Sequence, residues 1–129
     1  MPITWTEDSR NKWVVVTYTD PYTSADFTRA LNDVLARRRT LGAVRMLVDR
    51  RNASAATGEF VERVISFGTS EPKRWTDARV ALVVSGDAAF GMGRILQTRA
   101  ELSMPSMAVS VFRDLPSAEV WLARPESAT

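Results

Sequence analysis

The chain has 129 residues, 45% hydrophobic and 25% charged, with no His, no Cys and a formal net charge of +2. The missing residue types exclude Ser-His-Asp and Cys-His catalysis, thiolate chemistry, disulfides and ordinary zinc sites. A single domain of this length buries enough surface to fold without such staples.

No apolar run approaches the ~18–20 residues that a membrane-spanning helix needs, so no transmembrane segment is expected. The opening Met1 to Asp8 lacks a basic start and a long apolar stretch, which argues against a signal peptide and makes a cytoplasmic location the default. No linker or repeat interrupts the chain. One domain over 1–123 is expected, with a disordered tail over 124–129.

Ile3 to Thr6 is a short strand candidate, and Glu7 to Lys12 a polar hairpin loop. Trp13 to Thr19 is β-branched and aromatic, hence a strand, and Asp20-Pro21 ends it. A helix starts at Thr23 or Ser24. Its Phe27, Ala30, Leu31, Val34 and Leu35 follow the spacing of a core-facing stripe, Arg37, Arg38 and Arg39 sit in its last turn, and Gly42 is the expected C-cap. Val44 to Asp49 is the next strand, with Arg50, Arg51 and Asn52 as its polar exit. A second helix runs from about Thr57 to Phe67, stopped by Gly68, and Glu71 to Arg74 is a turn. Arg79 to Ser85 holds a nearly continuous apolar run, the signature of a strand covered on both faces. Asp87 is placed to cap a third helix, Ala88 to about Leu102. Met107 to Phe112 is the fifth strand, and Asp114 caps a last helix with Leu115, Ala118, Trp121 and Leu122.

The order β-β-α-β-α-β-α-β-α predicts an α/β fold. Its sheet has five strands, mixed but mostly parallel, with an N-terminal β-hairpin and about four helices.

That order, with several phrases, resembles the SpoIIAA-like proteins, related in fold to STAS (sulfate transporter and anti-sigma-factor antagonist) domains and to CRAL-TRIO/Sec14 lipid-binding domains. The matching stretches are Val14-Val15-Val16 entering a helix, Met46-Leu47-Val48-Asp49 with its polar exit, Arg79 to Val84, Asp87 to Arg94, and Val111-Phe112-Arg113-Asp114 followed by Ala118, Trp121 and Leu122. The resemblance implies a mostly non-enzymatic protein that works through a protein partner or an apolar ligand. It also implies a phosphorylatable Ser at the start of the helix after the third strand. Here that stretch reads Asn52-Ala53-Ser54-Ala55-Ala56-Thr57-Gly58, so Ser54 is carried over as a possible phosphorylation site, although the Asp of the STAS phrase is absent.

In open parallel sheets ligands collect beyond the carboxyl ends of the strands. That edge gathers Asp20, Asp49, Arg50, Arg51, Asn52, Ser85, Gly86, Asp87, Arg113 and Asp114. Two readings compete: a polar mouth with Arg groups facing an anion, or the caps and turn residues that concentrate there in any such fold. The candidate ligand or partner site is Asp49, Arg50, Arg51, Asn52, Ser54, Thr57, Trp75, Asp87, Phe90 and Arg94. Trp75, in a polar loop, either covers the core or makes contacts.

Gly86 to Gly93 lacks the Lys and Ser/Thr of a phosphate loop, so its glycines are read as close helix packing. Arg37, Arg38 and Arg39 do not share a helix face, which favours a solvated helix end over a patch for phosphate or anionic lipid. Asp20, Asp49 and Asp87 are the only route to acid–base chemistry, and cap and ion-pair roles explain them more simply.

The expected function is therefore a non-enzymatic binding or regulatory module, with no metal, no cofactor and no nucleic-acid partner. It acts through a protein partner or a small apolar ligand, and the edge of the first hairpin makes a homodimer plausible. A second reading is a carrier of a lipid-like ligand beneath the second and third helices, in space lined by Phe60, Val64, Phe67, Phe90 and Ile95. Such a carrier requires a cavity of several hundred Å3.

Overall fold

The structure, a computed structural model, describes residues 2–38 and 44–124. Gly42, expected as a C-cap, Arg39 of the basic triplet, and residues 125–129 of the expected tail lie outside the described residues. The elements are β1 (Ile3–Asp8), β2 (Trp13–Thr19), α1 (Ser24–Arg38), β3 (Arg45–Asn52), α2 (Gly58–Ser70), a 3-10 turn (Pro72–Trp75), β4 (Arg79–Val83), α3 (Asp87–Ser103), β5 (Ala108–Phe112) and α4 (Leu115–Leu122).

The five strands form one sheet in the order β1-β2-β3-β4-β5. β1 and β2 pair antiparallel and every later pair is parallel. A strand order that never reverses has a simple consequence. Right-handed crossovers that always advance in one direction place their helices on one face of the sheet. Accordingly α1 (Phe27, Leu31, Val34), α2 (Phe60, Val64, Phe67) and the buried side of α3 pack with Val14, Val16, Met46, Val80, Leu82 and Val111 on one face. The opposite face carries Trp13, Leu47, Ala81 and Val83 under Ala118 and Leu122 of α4. Strand alternation makes this division: neighbouring residues of β2, β3 and β4 point to opposite faces.

Both ends of this architecture are set by short-range chemistry. The β1–β2 turn is closed by Asp8, whose Oδ1 accepts from the amides of Arg10 and Asn11 at 3.0 Å each. Those two bonds, together with the side-chain bond from Asn11, hold the Asp8 carboxyl below its usual range. At the start of α1, the Thr23 hydroxyl accepts from the Asp26 amide at 3.1 Å while the Asp26 carboxylate accepts from the Thr23 amide at 2.8 Å, a reciprocal capping box. Asp114 caps α4 by accepting from the Ser117 amide at 2.8 Å.

Several boundaries differ from the sequence reading. β3 does not stop at Asp49 but continues through Arg50, Arg51 and Asn52. Thr57 is the N-cap of α2, and that helix passes through Gly68 to Ser70. Gly68 is not a stop: a Cβ there would run into the Met104 thioether, so the glycine admits a close approach of the chain after α3. Asp87 is the first residue of α3 and makes no cap; the N-cap is Gly86, at φ 90°. The close packing read into the Gly86–Gly93 stretch holds at Gly93, where a Cβ would sit 2.6 Å from Val111 Cγ2. It does not hold at Gly91, which faces open space.

Candidate functional site

The sheet reverses direction nowhere along its parallel strands, so it has no topological switch point, the feature that opens a ligand crevice at strand ends in doubly wound folds. The polar residues gathered at that edge are instead engaged with one another. Asp20 accepts from the Ser54 amide at 2.8 Å and from its hydroxyl at 3.2 Å. Asp49 takes both Nε and Nη2 of Arg51 at 2.9 Å, and these bonds lower its pKa. Arg113 donates to the largely exposed Asp87 at 2.9 Å and lies over the Phe90 ring, 4.2 Å from its centroid. Thr57 spends its hydroxyl on the amide of Phe60 at 3.1 Å. Arg94 is exposed on α3, and Asn52 is exposed at the end of β3.

One residue of this set departs from the pattern. Arg50 is buried, with 6% of its surface exposed. Strand alternation turns it inward: Met46, Val48 and Arg50 follow one another on the helix-covered face of β3, and the register with β2 shifts only past Asp49, where three steps along β3 oppose two between Thr17 and Thr19. Arg51 goes to solvent and Arg50 goes under the helices. There its guanidinium is surrounded by rings, 4.6 Å from the centroid of Tyr18, 5.0 Å from Tyr22 and 5.4 Å from Phe60. Nη2 donates to the Tyr22 hydroxyl at 2.5 Å and to the carbonyl of Ser54 at 3.1 Å. Nη1 is buried and has no hydrogen-bond acceptor.

Arg50 lines a cavity of about 110 Å3 between the sheet and helices α1 to α3. Among the described residues it is the only charged one of the lining. The remainder is aliphatic, aromatic or Met, including Val48, Val64, Leu82, Met92, Leu96 and Met107. One wall is a continuous run of edge-to-face rings. Tyr18 and Phe60 are 6.2 Å apart, Phe60 and Phe27 5.4 Å, Phe27 and Phe67 5.4 Å, and Phe67 and Trp75 6.4 Å. Such pairs hold their relative orientation and make that wall stiff. Trp75 thus belongs to the core side of its two readings: it is 5% exposed and makes no surface contact site. Burial pushes the Tyr18 phenol well above its usual pKa, with the Arg50 charge opposing, so the ring stays neutral.

Of the residues expected beneath α2 and α3, Phe60, Val64 and Phe67 line the cavity, whereas Phe90 and Ile95 do not. Ile95 is half exposed on the outer side of α3. The α3 positions that face inward are Met92, Gly93 and Leu96, because the buried stripe follows Ala89, Gly93 and Ala100. The sequence reading thus found the cavity's aromatic wall and named Arg50 among the candidate ligand residues, but as part of a polar mouth rather than as the buried charge of the cavity. Arg50 read as one of three polar exit residues, and alternation along the longer β3 separates it from Arg51.

Set against solved structures, the chain superposes on an uncharacterized protein of the DUF3478 family from Shewanella loihica PV-4, described as having a SpoIIAA-like fold. The TM-score is 0.65 at 16% identity, over 93% of this chain and 91% of that one. The fold is SpoIIAA-like. No family model matches the sequence, and neither does any curated protein. No helix among the described residues is long and apolar enough to cross a membrane. In this SpoIIAA-like frame the cavity occupies the space between the sheet and the crossover helices, and Arg50 closes it at the end of β3.

Proposed function

We propose that this chain is a non-enzymatic binding module whose ligand is a compact apolar molecule seated between the sheet and helices α2 and α3. The observation that carries the reading is the cavity: about 110 Å3, walled by apolar and aromatic side chains, with Arg50 as the single charge. Apolar cavities of around 150 Å3 stay dry and take up molecules of the size of benzene. A volume in that range suits one ring or a short branched chain. It falls below the roughly 300 Å3 at which pockets for larger organic ligands begin, so a lipid-sized cargo is the weaker reading.

The non-enzymatic part of the reading is supported by how the carboxylates at the strand ends are used. Asp20, Asp49, Asp87 and Asp114 are each held by a hydroxyl, an amide or a guanidinium. The pKa values of Asp49 and Asp114 are lowered by those bonds, the opposite of what a general acid needs. A phosphorylation switch at Ser54 remains part of the proposal in a specific form. The hydroxyl is exposed and donates to the Asp20 carboxylate, so a phosphate there would break that bond by like-charge repulsion. It would release the segment whose carbonyl accepts from Arg50.

The test is titration of the protein with toluene, followed through the methyl signals of Met46, Met92, Met104 and Met107, which line the cavity. Saturable shifts confined to these methyls support the reading. Their absence, or binding that persists in Val64→Trp, which fills the cavity, overturns it.

A further inference from the structure

A guanidinium keeps its charge at all accessible pH, and burying a charge is costly unless an opposite charge or a full set of acceptors meets it. Arg50 has neither. It is 94% buried by its 6% exposure. Among the described residues no carboxylate pairs with it, and its contacts are three ring faces, one phenol oxygen and one carbonyl. Nη1 is the one buried side-chain nitrogen or oxygen of the described residues left without a partner. The second buried arginine, Arg79, donates to the carbonyls of Trp121 and Arg124 at 3.2 and 2.6 Å, so orphaned guanidinium nitrogens are no general property of this fold.

Resting on the binding reading above, we infer that Arg50 is the head-group receptor of that site, and that the ligand is a monocarboxylate with a compact apolar body. Its carboxylate accepts from Nη1 while its body fills the space bounded by Phe60, Val64, Leu82 and Met92. Three observations favour this class. The residue that carries the missing acceptor also lines the cavity, so one molecule answers both the empty volume and the unpartnered donor. The lining holds one positive group and no negative one, so a single negative charge balances it, whereas a phosphate dianion leaves one charge over. Arg50 also stands at the carboxyl end of β3, where its Nη2 bonds the carbonyl of exposed Ser54, so a head group held there lies beside a surface segment. The surrounding ring faces attract the guanidinium and fix its position without quenching its hydrogen-bonding capacity.

The experiment compares benzoate with its uncharged counterparts toluene and benzyl alcohol, by calorimetry and amide NMR, on the full chain and on Arg50→Met. The expected result is that wild type binds benzoate roughly 10- to 100-fold more tightly than benzyl alcohol, the gain of one charge-assisted hydrogen bond. Arg50→Met loses that preference. Should Arg50→Met fail to fold, the wild-type Arg50 Nε–H signal gives the same answer: benzoate moves it well beyond the ring-current shift that toluene causes. Toluene binding without benzoate preference overturns the head-group role and leaves the apolar site standing. If neither binds, both readings fall. Benzoate binding that is unchanged in Arg50→Met, or whose saturation leaves the Arg50 signal in place, also overturns the inference.

Discussion

Two buried arginines, on neighbouring strands of one sheet, are treated in opposite ways. Arg79 opens β4 and is 7% exposed; Arg50 lies near the end of β3 and is 6% exposed. Arg79 stands beside Arg45 in the parallel ladder, and both turn to the face covered by α4. Arg45 donates to the carbonyl of Leu122 at 2.8 Å, and Arg79 to those of Trp121 and Arg124. The carbonyls of Trp121 and Leu122 belong to the last turn of α4, at the negative end of its dipole, and that of Arg124 follows just past the helix. Two adjacent positive charges are tolerable there because they share one need. On the other face Arg50 meets only rings, a phenol and one carbonyl, and keeps a free donor. The α4 face uses its cations to hold a helix down. The cavity face keeps a cation in reserve, which is a cost to folding and a resource for binding.

The sharpest way to break this comparison is to remove each guanidinium. Arg79→Met should destabilise the chain by about 2–3 kcal/mol, since it removes the charged bonds that tie the carbonyls of Trp121 and Arg124 to the sheet. Chemical denaturation measures this directly, and a loss comparable to that of Arg50→Met would void the distinction. Next in size is Gly93→Ala. Its Cβ meets Val111 on the cavity face, and overpacking of this kind costs about 1–3 kcal/mol. Gly91→Ala, two residues earlier and facing open space, should instead stabilise by up to about 1 kcal/mol through helix propensity. Equal Tm values for the two variants would show that α3 does not press on the sheet as described. Arg50→Met should change stability by less than about 1 kcal/mol, because an apolar side chain of similar length relieves an uncompensated buried charge as it gives up two hydrogen bonds.

The smallest effect concerns pH. The bonds from the Ser117 amide and hydroxyl lower the Asp114 pKa in the folded chain. A lowered folded pKa means stability that is present above the unfolded value near ~3.9 and lost as pH falls through the folded pKa. The Tm advantage of wild type over Asp114→Ala should therefore be constant at neutral pH and shrink below about pH 4. An advantage that survives at the lowest pH would assign the cap to something other than the carboxylate.

The α/β order was legible because each element carries its own local signal. Phe27, Leu31 and Val34 recur at helical spacing, Trp13 to Thr19 is β-branched, and Asp114 precedes Leu115-Pro116 as an N-cap should. Phe60, Val64 and Phe67 were legible as an inward stripe for the same reason, and they do line the cavity. Gly68 was misread as a stop because its role is a contact with Met104, 36 positions away, which no local pattern encodes. Ile95 was misplaced because the stripe of α3 is set by Ala89, Gly93 and Ala100, small residues with weak hydrophobic signal. Arg50 and Arg79 show the limit most clearly. Both are arginines at the end of a strand, where a sequence reader expects exposure.

The sequence by itself determined the element order, the five-stranded α/β architecture and the exclusion of thiol and imidazole chemistry, since those follow from periodicity, turn chemistry and composition. The tertiary structure alone decided which cations are spent and which one is kept. That depends on β3 running on past Asp49 beneath the helices and on where the carbonyls at the end of α4 come to rest, and both are fixed by packing between distant segments.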